Sequence, residues 1–406
     1  MTFRTALSGL NAAAADLNVT SHNIANVATV GFKGSRAEFS EVFATSTFGL
    51  SRTAIGSGVR TAAIAQQFSQ GSIEFTENGL DIAISGGGFF RLSDNGAAVY
   101  SRAGNFQADR DGFVVNPAGH RVQVFPPIAG TNTFDTGRLQ DLQVAIGDAA
   151  PQATTDIGLG LNLPANATPP VNATFDPTDP RSYNHTTSLT VYDSLGAAHV
   201  ATLYFVRTAT ENEWQAYAYV DGNAVGGPNT VTYSETGTLV NPAGGTLTLP
   251  TYDPMNGAAD LDITLDLASS TQYGDAFSVS ELSQNGFTTG RLTGIETSPT
   301  GVVFARFTNG QSQPLGQLVL ASFANPQGLQ ELGDNVWGES FESGQPLLGT
   351  AGSGSFGLTQ SGALEASNVD LTAQLVNMIT AQRNFQANAQ MISTQDQVTQ
   401  TVINIR

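Results

Sequence analysis

The chain has 406 residues, 44 glycines, no cysteine and a formal net charge of −18 at pH 7. That charge argues against nucleic-acid and anionic-membrane partners, and the missing cysteines exclude disulfides, thiolate metal sites and thiol nucleophiles. Only 12% of residues are charged, against about 25% in average proteins, which together with the glycine points to a turn-rich β architecture.

The first predicted element is a helix over 1–30. Phe3, Leu7, Leu10, Ala14, Leu17, Ser21 and Ile24 step by four and three and so share one face. Gly9 weakens that helix by up to ~1 kcal/mol relative to alanine, and an alanine-rich face leaves it marginal alone. The N-terminus has no continuous apolar core of a cleavable signal peptide, and no apolar run in the chain reaches membrane-spanning length. Residues 31–70 keep no sustained period and are expected to form an irregular connector.

From Gly71 the pattern becomes alternation and punctuation. Leu80, Ile82 and Ile84 share a strand face, and Gly86, Gly87 and Gly88 break it before Phe89, Phe90, Arg91 and Leu92. All 17 prolines lie between Pro117 and Pro346, which confines them to a β-rich middle. A composition shift places a boundary near 145. Beyond it, Thr186 to Tyr192 and His199 to Val206 flank a turn as a hairpin, and Leu261, Ile263, Leu265 and Leu267 alternate with polar residues as a half-buried strand.

The last 44 residues, from Ala363, contain no glycine and no proline. Leu371, Leu375, Met378, Gln382, Phe385, Ala389 and Ile392 stack along one side of a helix. Ser367 or Asn368 is expected to cap it, with Asp370 in the first turn. From Ser367 to Arg406 it would run about 60 Å. Charge is scarce at both ends: Arg4 and Lys33 face Asp16, and Arg383 and Arg406 face Glu365, Asp370 and Asp396. The negative charge lies in the middle, which keeps it soluble, while the termini lack the repulsion that would keep copies apart.

The expected fold is α+β and mostly β. A central β domain of 71–145 with 285–362 carries an inserted outer β domain of 146–284. Terminal helices of 1–30 and 363–406 flank them and pair as a coiled-coil-like stem.

No chemistry stands out. His22, His120, His185 and His199 lie in four separate segments without metal-ligand spacing. Asp109-Arg110-Asp111-Gly112 lacks the glutamate of a calcium loop and reads as a turn. Gly352 to Gly357 matches a Gly-x-Gly-x-x-Gly pattern without its strand and helix. No Gly-x-Ser-x-Gly elbow is present. No cofactor, metal or catalytic residue is expected.

The stretch Asn23-Ile24-Ala25-Asn26, followed by Thr29, Gly31, Phe32 and Lys33, resembles the N-terminal signature of the bacterial flagellar rod and hook proteins. Ser367, Asn368, Val369, Asp370 and Leu371, introduced by Gly362-Ala363-Leu364-Glu365, are similar to that family's C-terminal phrase. Val191 to Gly196, with His199 just after, resembles the outer domain of the hook members, which the shorter rod members lack. The resemblance implies a self-assembling subunit of a flexible helical tube that transmits motor torque, exported without a cleavable signal peptide and located in the extracellular flagellum. It implies a homopolymer whose further partners are the rod, hook-cap and hook–filament junction proteins. The positions that would bury the inner core are Leu7, Leu10, Leu17, Ile24, Leu371, Leu375, Met378, Phe385 and Ile392. A distal rod subunit remains the alternative within the family. A secreted β-rich adhesin remains the alternative outside it, though one has no need of two long, uncharged amphipathic ends.

Overall fold

The computed structural model describes residues 2–42, 56–128, 131, 133–144 and 147–404. The boundary expected near 145, the middle of the connector at 43–55 and the last two positions of the C-terminal helix lie outside the described residues. The chain is mostly β, with one long helix at each end: α1, Thr2–Ala25, and α2, Leu371–Asn404. It divides into two compact units, 1–146 with 294–306 and 312–406, and 147–293 with 307–311.

The first unit holds both helices and an antiparallel sheet. In that sheet Ser312–Leu318 pairs with Arg121–Phe125, which pairs with Phe89–Asp94, then Ala97–Ser101, Val336–Gly338 and Gln330–Gly333. The sheet is buried on both faces: Phe90, Leu92, Val122 and Val124 lie on one and Tyr100 and Trp337 on the other, all nearly inaccessible. Phe89, Phe323, Tyr100 and Trp337 meet edge to face, with centroids 4.8 to 6.0 Å apart, a geometry that suits their quadrupoles.

The connector expected over 31–70 is not wholly irregular. Its described parts form a hairpin of β1, Ser35–Glu41, and β2, Val59–Gln66, which packs on α1. Its strands are mostly half-exposed or exposed, so they lack the alternation that marks a strand from sequence. The hairpin is anchored where β2 ends, since Trp337 Nε1 donates to Gln66 Oε1 at 2.7 Å.

The second unit is a two-sheet β structure around one core. One sheet runs His185–Tyr192, Ala198–Arg207, Glu213–Val220, Asn229–Tyr233, Leu239–Asn241. The other sets Asp156–Asn162 between a parallel neighbour, Thr264–Asp266, and an antiparallel one, Ser278–Gln284. Leu203, Phe205, Trp214 and Val231 from the first sheet share a core with Ile157, Leu159, Leu161 and Leu265 from the second, the packing of a sandwich.

The C-terminal helix starts later than expected from sequence. Asp370, not Ser367 or Asn368, caps it: its Oδ1 accepts from Thr372 N at 2.8 Å and Ala373 N at 3.2 Å. Residues 363–365 are instead a short strand paired with Ile73–Phe75. Asn368 is drawn away because its side chain is used elsewhere, accepting from Gly34 N at 2.8 Å and donating to Gln67 O at 2.6 Å.

Candidate assembly interface

α1 and α2 pack antiparallel. A Cβ at Gly9 would lie 2.5 Å from Asn388 Oδ1, and Asn23 Nδ2 reaches Gln374 Oε1 at 3.4 Å. Fourteen residues separate these two contacts on each helix, two heptads of an unbroken coiled-coil register. Carried along the helices, that register sets the start of α1 opposite Gln395. The turns from Asp396 to Asn404 therefore extend past the end of α1.

Burial along α2 follows the same heptad. Gln374, Met378, Ala381, Phe385, Asn388, Ile392 and Gln395 are half-buried or better, spaced by four and three. Ala381 is fully buried. The partner face of α1 is small and polar: Ala6 and Ala13 are buried with Thr20 and Asn23, and Gly9 and Asp16 lie between. Burial raises the pKa of the Asp16 carboxyl.

The stripe expected from sequence only partly coincides with this seam. Met378, Phe385 and Ile392 lie in it, while Leu10, Leu17 and Ile24 on α1 are half-buried. Leu7, Leu371 and Leu375 are 42%, 44% and 45% exposed. They belong to a second apolar set that touches water: Phe3 on α1, and Val376, Ile379, Met391, Val398 and Ile403 on α2. Gln382, on the expected stripe, is exposed. Small and polar residues dominate the seam of this pair, and most of its long apolar side chains lie outside it. Fully burying such a side chain is worth about 1.5–3 kcal/mol, and these are roughly half-way there already. Covering the seven exposed positions on α2 would contribute on the order of 5–10 kcal/mol, comparable to the ~4–15 kcal/mol cost of association.

Within the first unit, a buried ion cluster that sequence reading missed ties the segments flanking the two helices to the segment after Ala97–Ser101. Glu365 Oε1 accepts from Lys33 Nζ at 2.6 Å and from Gly71 N at 3.0 Å, and Oε2 accepts from Arg102 Nε at 2.8 Å. All three side chains are at most 5% exposed. Lys33 Nζ also donates to Ser69 O at 2.8 Å, and Arg102 to the carbonyls of Gly86 and Gly88. Burial lowers the pKa of the Lys33 ammonium, against the pull of Glu365. One carboxylate thus holds two cations from segments far apart in sequence.

The motif residues around it each have a physical task. Asn23 brackets the Ser35 backbone, donating to its carbonyl at 2.7 Å and accepting from its amide at 2.9 Å. Asn26 Nδ2 donates to His22 O at the end of α1 at 3.0 Å, and Asn26 Oδ1 accepts from Thr29 Oγ1 at 3.1 Å. Ile24 is half-buried and Ala25 exposed. Gly31 has φ +68°, and a Cβ there would sit 2.5 Å from Ala103 N, so both conformation and space require glycine. Phe32 is buried with its ring edge-on to His22. Gly31 N donates to Glu365 O at 2.7 Å. Ser367 Oγ accepts from Val369 N, and Val369 packs where a Cβ at Gly34 would stand. Both terminal phrases therefore converge on one junction. The only sequence sign of Glu365's role was an isolated acid in an otherwise apolar phrase, Ala363 to Ala366.

Comparison with known proteins covers the whole chain. Residues 3–33 match a family model described as flagella basal body rod protein, and 83–169 one described as flagellar hook protein FlgE/F/G D1 domain. Residues 162–287 match the flagellar basal body protein FlaE D2 domain, and 360–405 the flagellar basal body rod FlgEFG protein C-terminal model. The flagellar hook protein FlgE of Salmonella typhimurium is 42% identical over 415 residues, covering 100% of both chains. That of Escherichia coli K12 is 42% identical over 413 residues, again covering 100% of both. That of Borreliella burgdorferi is 32% identical over 435 residues and 98% of each. A crystal structure of Helicobacter pylori flagellar hook protein FlgE2 superimposes with a TM-score of 0.55 at 16% identity, covering 72% of this chain and 100% of that one. That likeness is one of fold.

Proposed function

The chain belongs to the flagellar hook protein family, and from that membership we propose how its ends drive assembly. It is a structural subunit of the bacterial flagellar hook and not an enzyme. The relatives match over full length, including the inserted outer region, so the rod and adhesin readings are not favoured.

In the proposed assembly, the water-facing apolar residues of the terminal helices are buried by neighbouring copies. Leu7, Leu371 and Leu375 make the contacts between subunits, while Leu10, Leu17, Ile24, Met378, Phe385 and Ile392 consolidate each pair. A heterologous contact repeated by rotation and translation generates an open helical tube. The polar β units form its outer layers, whose contacts slide as the tube bends and passes torque. Rod, hook-cap and hook–filament junction proteins meet its ends. Among the described residues no helix is long and apolar enough to cross a membrane.

The observation that carries this reading is the excess of long apolar side chains outside the α1–α2 seam. Limited proteolysis tests it. In dilute solution α2 should be cut first, near Asp396 to Asn404 where α1 offers no cover, and in the polymer the same bonds should survive. Equal cleavage of α2 in both states would contradict it.

A further inference from the structure

Phe341 is 102% exposed, the most exposed large apolar side chain among the described residues. Its loop is not loose. Ser340 Oγ accepts from Glu342 N at 3.1 Å and Ser343 N at 3.2 Å, and Ser343 Oγ donates back to Ser340 O at 2.9 Å. Asn325 Nδ2 donates to Glu342 O at 3.0 Å. Gly328 lies so close that a Cβ there would stand 2.5 Å from Ser343 N. Ser343 itself is fully buried. A loop backbone held this way presents the ring at a fixed place and needs little ordering on binding, which favours an interface anchor over a stray surface residue.

The same unit contains a cavity of about 320 Å³ suited to such a ring. Phe68, Phe89 and Phe323 line it, and Lys33 and Arg102 from the buried ion cluster also face it. That cluster carries two cations against one carboxylate, and an aromatic face is drawn to net positive charge. Gly86, Gly87 and Gly88 form another part of its lining, which is therefore bare backbone.

We propose that Phe341 of one copy inserts into the aromatic and cationic cavity of a second copy, as a lateral contact between first units in the polymer. The contact joins different surfaces on the two copies, so it propagates. It rests on the reading that the chain polymerises.

The absence of native cysteine makes the test clean. Copies carrying only Phe341→Cys are mixed with copies carrying only Ser322→Cys, on the cavity lining, polymerised, and treated with a short bismaleimide. The expected product is a covalent dimer containing one copy of each variant. A chain carrying both substitutions should give a ladder of linked oligomers. Normal polymers without the mixed dimer would overturn the contact and leave the hook reading intact. A closed dimer as the sole product of the double variant would overturn its open, propagating form. Failure of the unsubstituted chain to polymerise at all would overturn both readings. Phe341→Ala should raise the critical concentration for polymerisation about 10-fold, the loss of one interface anchor, and Phe341→Tyr should restore it.

Discussion

At the scale of single residues, Glu365 is the most consequential side chain in the junction. Removing a partner from a buried ion pair leaves uncompensated charge, at a cost of about 3–5 kcal/mol. Glu365→Ala should therefore lower the unfolding free energy of the first unit by that amount, read from its urea midpoint and slope, whereas Lys33→Met, which leaves the Arg102–Glu365 pair intact, should cost clearly less. Equal losses would show that the cluster does not act through its carboxylate. The second unit holds a different charged cluster. His199 donates to Asp221 and Asp193, at 2.6 and 3.2 Å, and Asn256 Nδ2 donates to Asp193 at 2.6 Å. Burial alone would lower the His199 pKa, but its two aspartates outweigh burial and raise it. Its stabilisation is thus complete below about pH 6.5 and lost as pH rises through the folded value. Burial would raise the Asp193 pKa, yet the bonds from Asn256, Ala197 and His199 hold it at about 2. That contribution is present above the ordinary carboxylate value and fades as pH falls towards 2. Denaturation of the second unit against pH should show a decline on the alkaline side that His199→Gln abolishes. The junction cluster was not legible in the sequence because Lys33 and Glu365 meet across 332 residues; in the second unit Asp193 and His199 are only six residues apart, but Asp221 and Asn256, which complete the cluster, come from other segments.

At the scale of elements, both terminal helices were legible from their period and from the absence of glycine and proline in the last 44 residues. Which face packs was not. A stripe drawn through the largest residues passes through Leu371 and Leu375, yet the seam closes at Gly9, whose lack of a side chain admits the Asn388 amide, and at the buried Ala13 and Ala381. Hydrophobicity marks what must eventually be covered, while small residues mark where two helices touch first. Ala381→Leu should overpack the seam at a cost of about 1–3 kcal/mol. Amide exchange in α1 should then speed up while the second unit is unchanged; unaltered exchange in α1 would argue against the antiparallel register. The hairpin of β1 and β2 was missed for the converse reason. Its strands lie mostly in water and on one helix, so no alternation of burial was written into them.

At the scale of the whole molecule, the β-rich middle and its flanking helices followed from where proline and glycine occur. The expected insertion over 146–284 is carried forward as a proposal, with residues 147–293 and 307–311 as its compact core. A fragment of 147–311 should unfold cooperatively, since its two sheets share one core that includes Trp214, Phe205 and Leu265. A fragment without a cooperative transition would contradict that. The central claim concerns the exposed apolar face of the terminal helices, and electron microscopy of the purified chain tests it most directly. The unsubstituted protein should form tubes, and Leu375→Asp, at a position 45% exposed in the single chain, should stay monomeric with an unchanged circular dichroism spectrum. Tubes of normal length from Leu375→Asp would contradict the account.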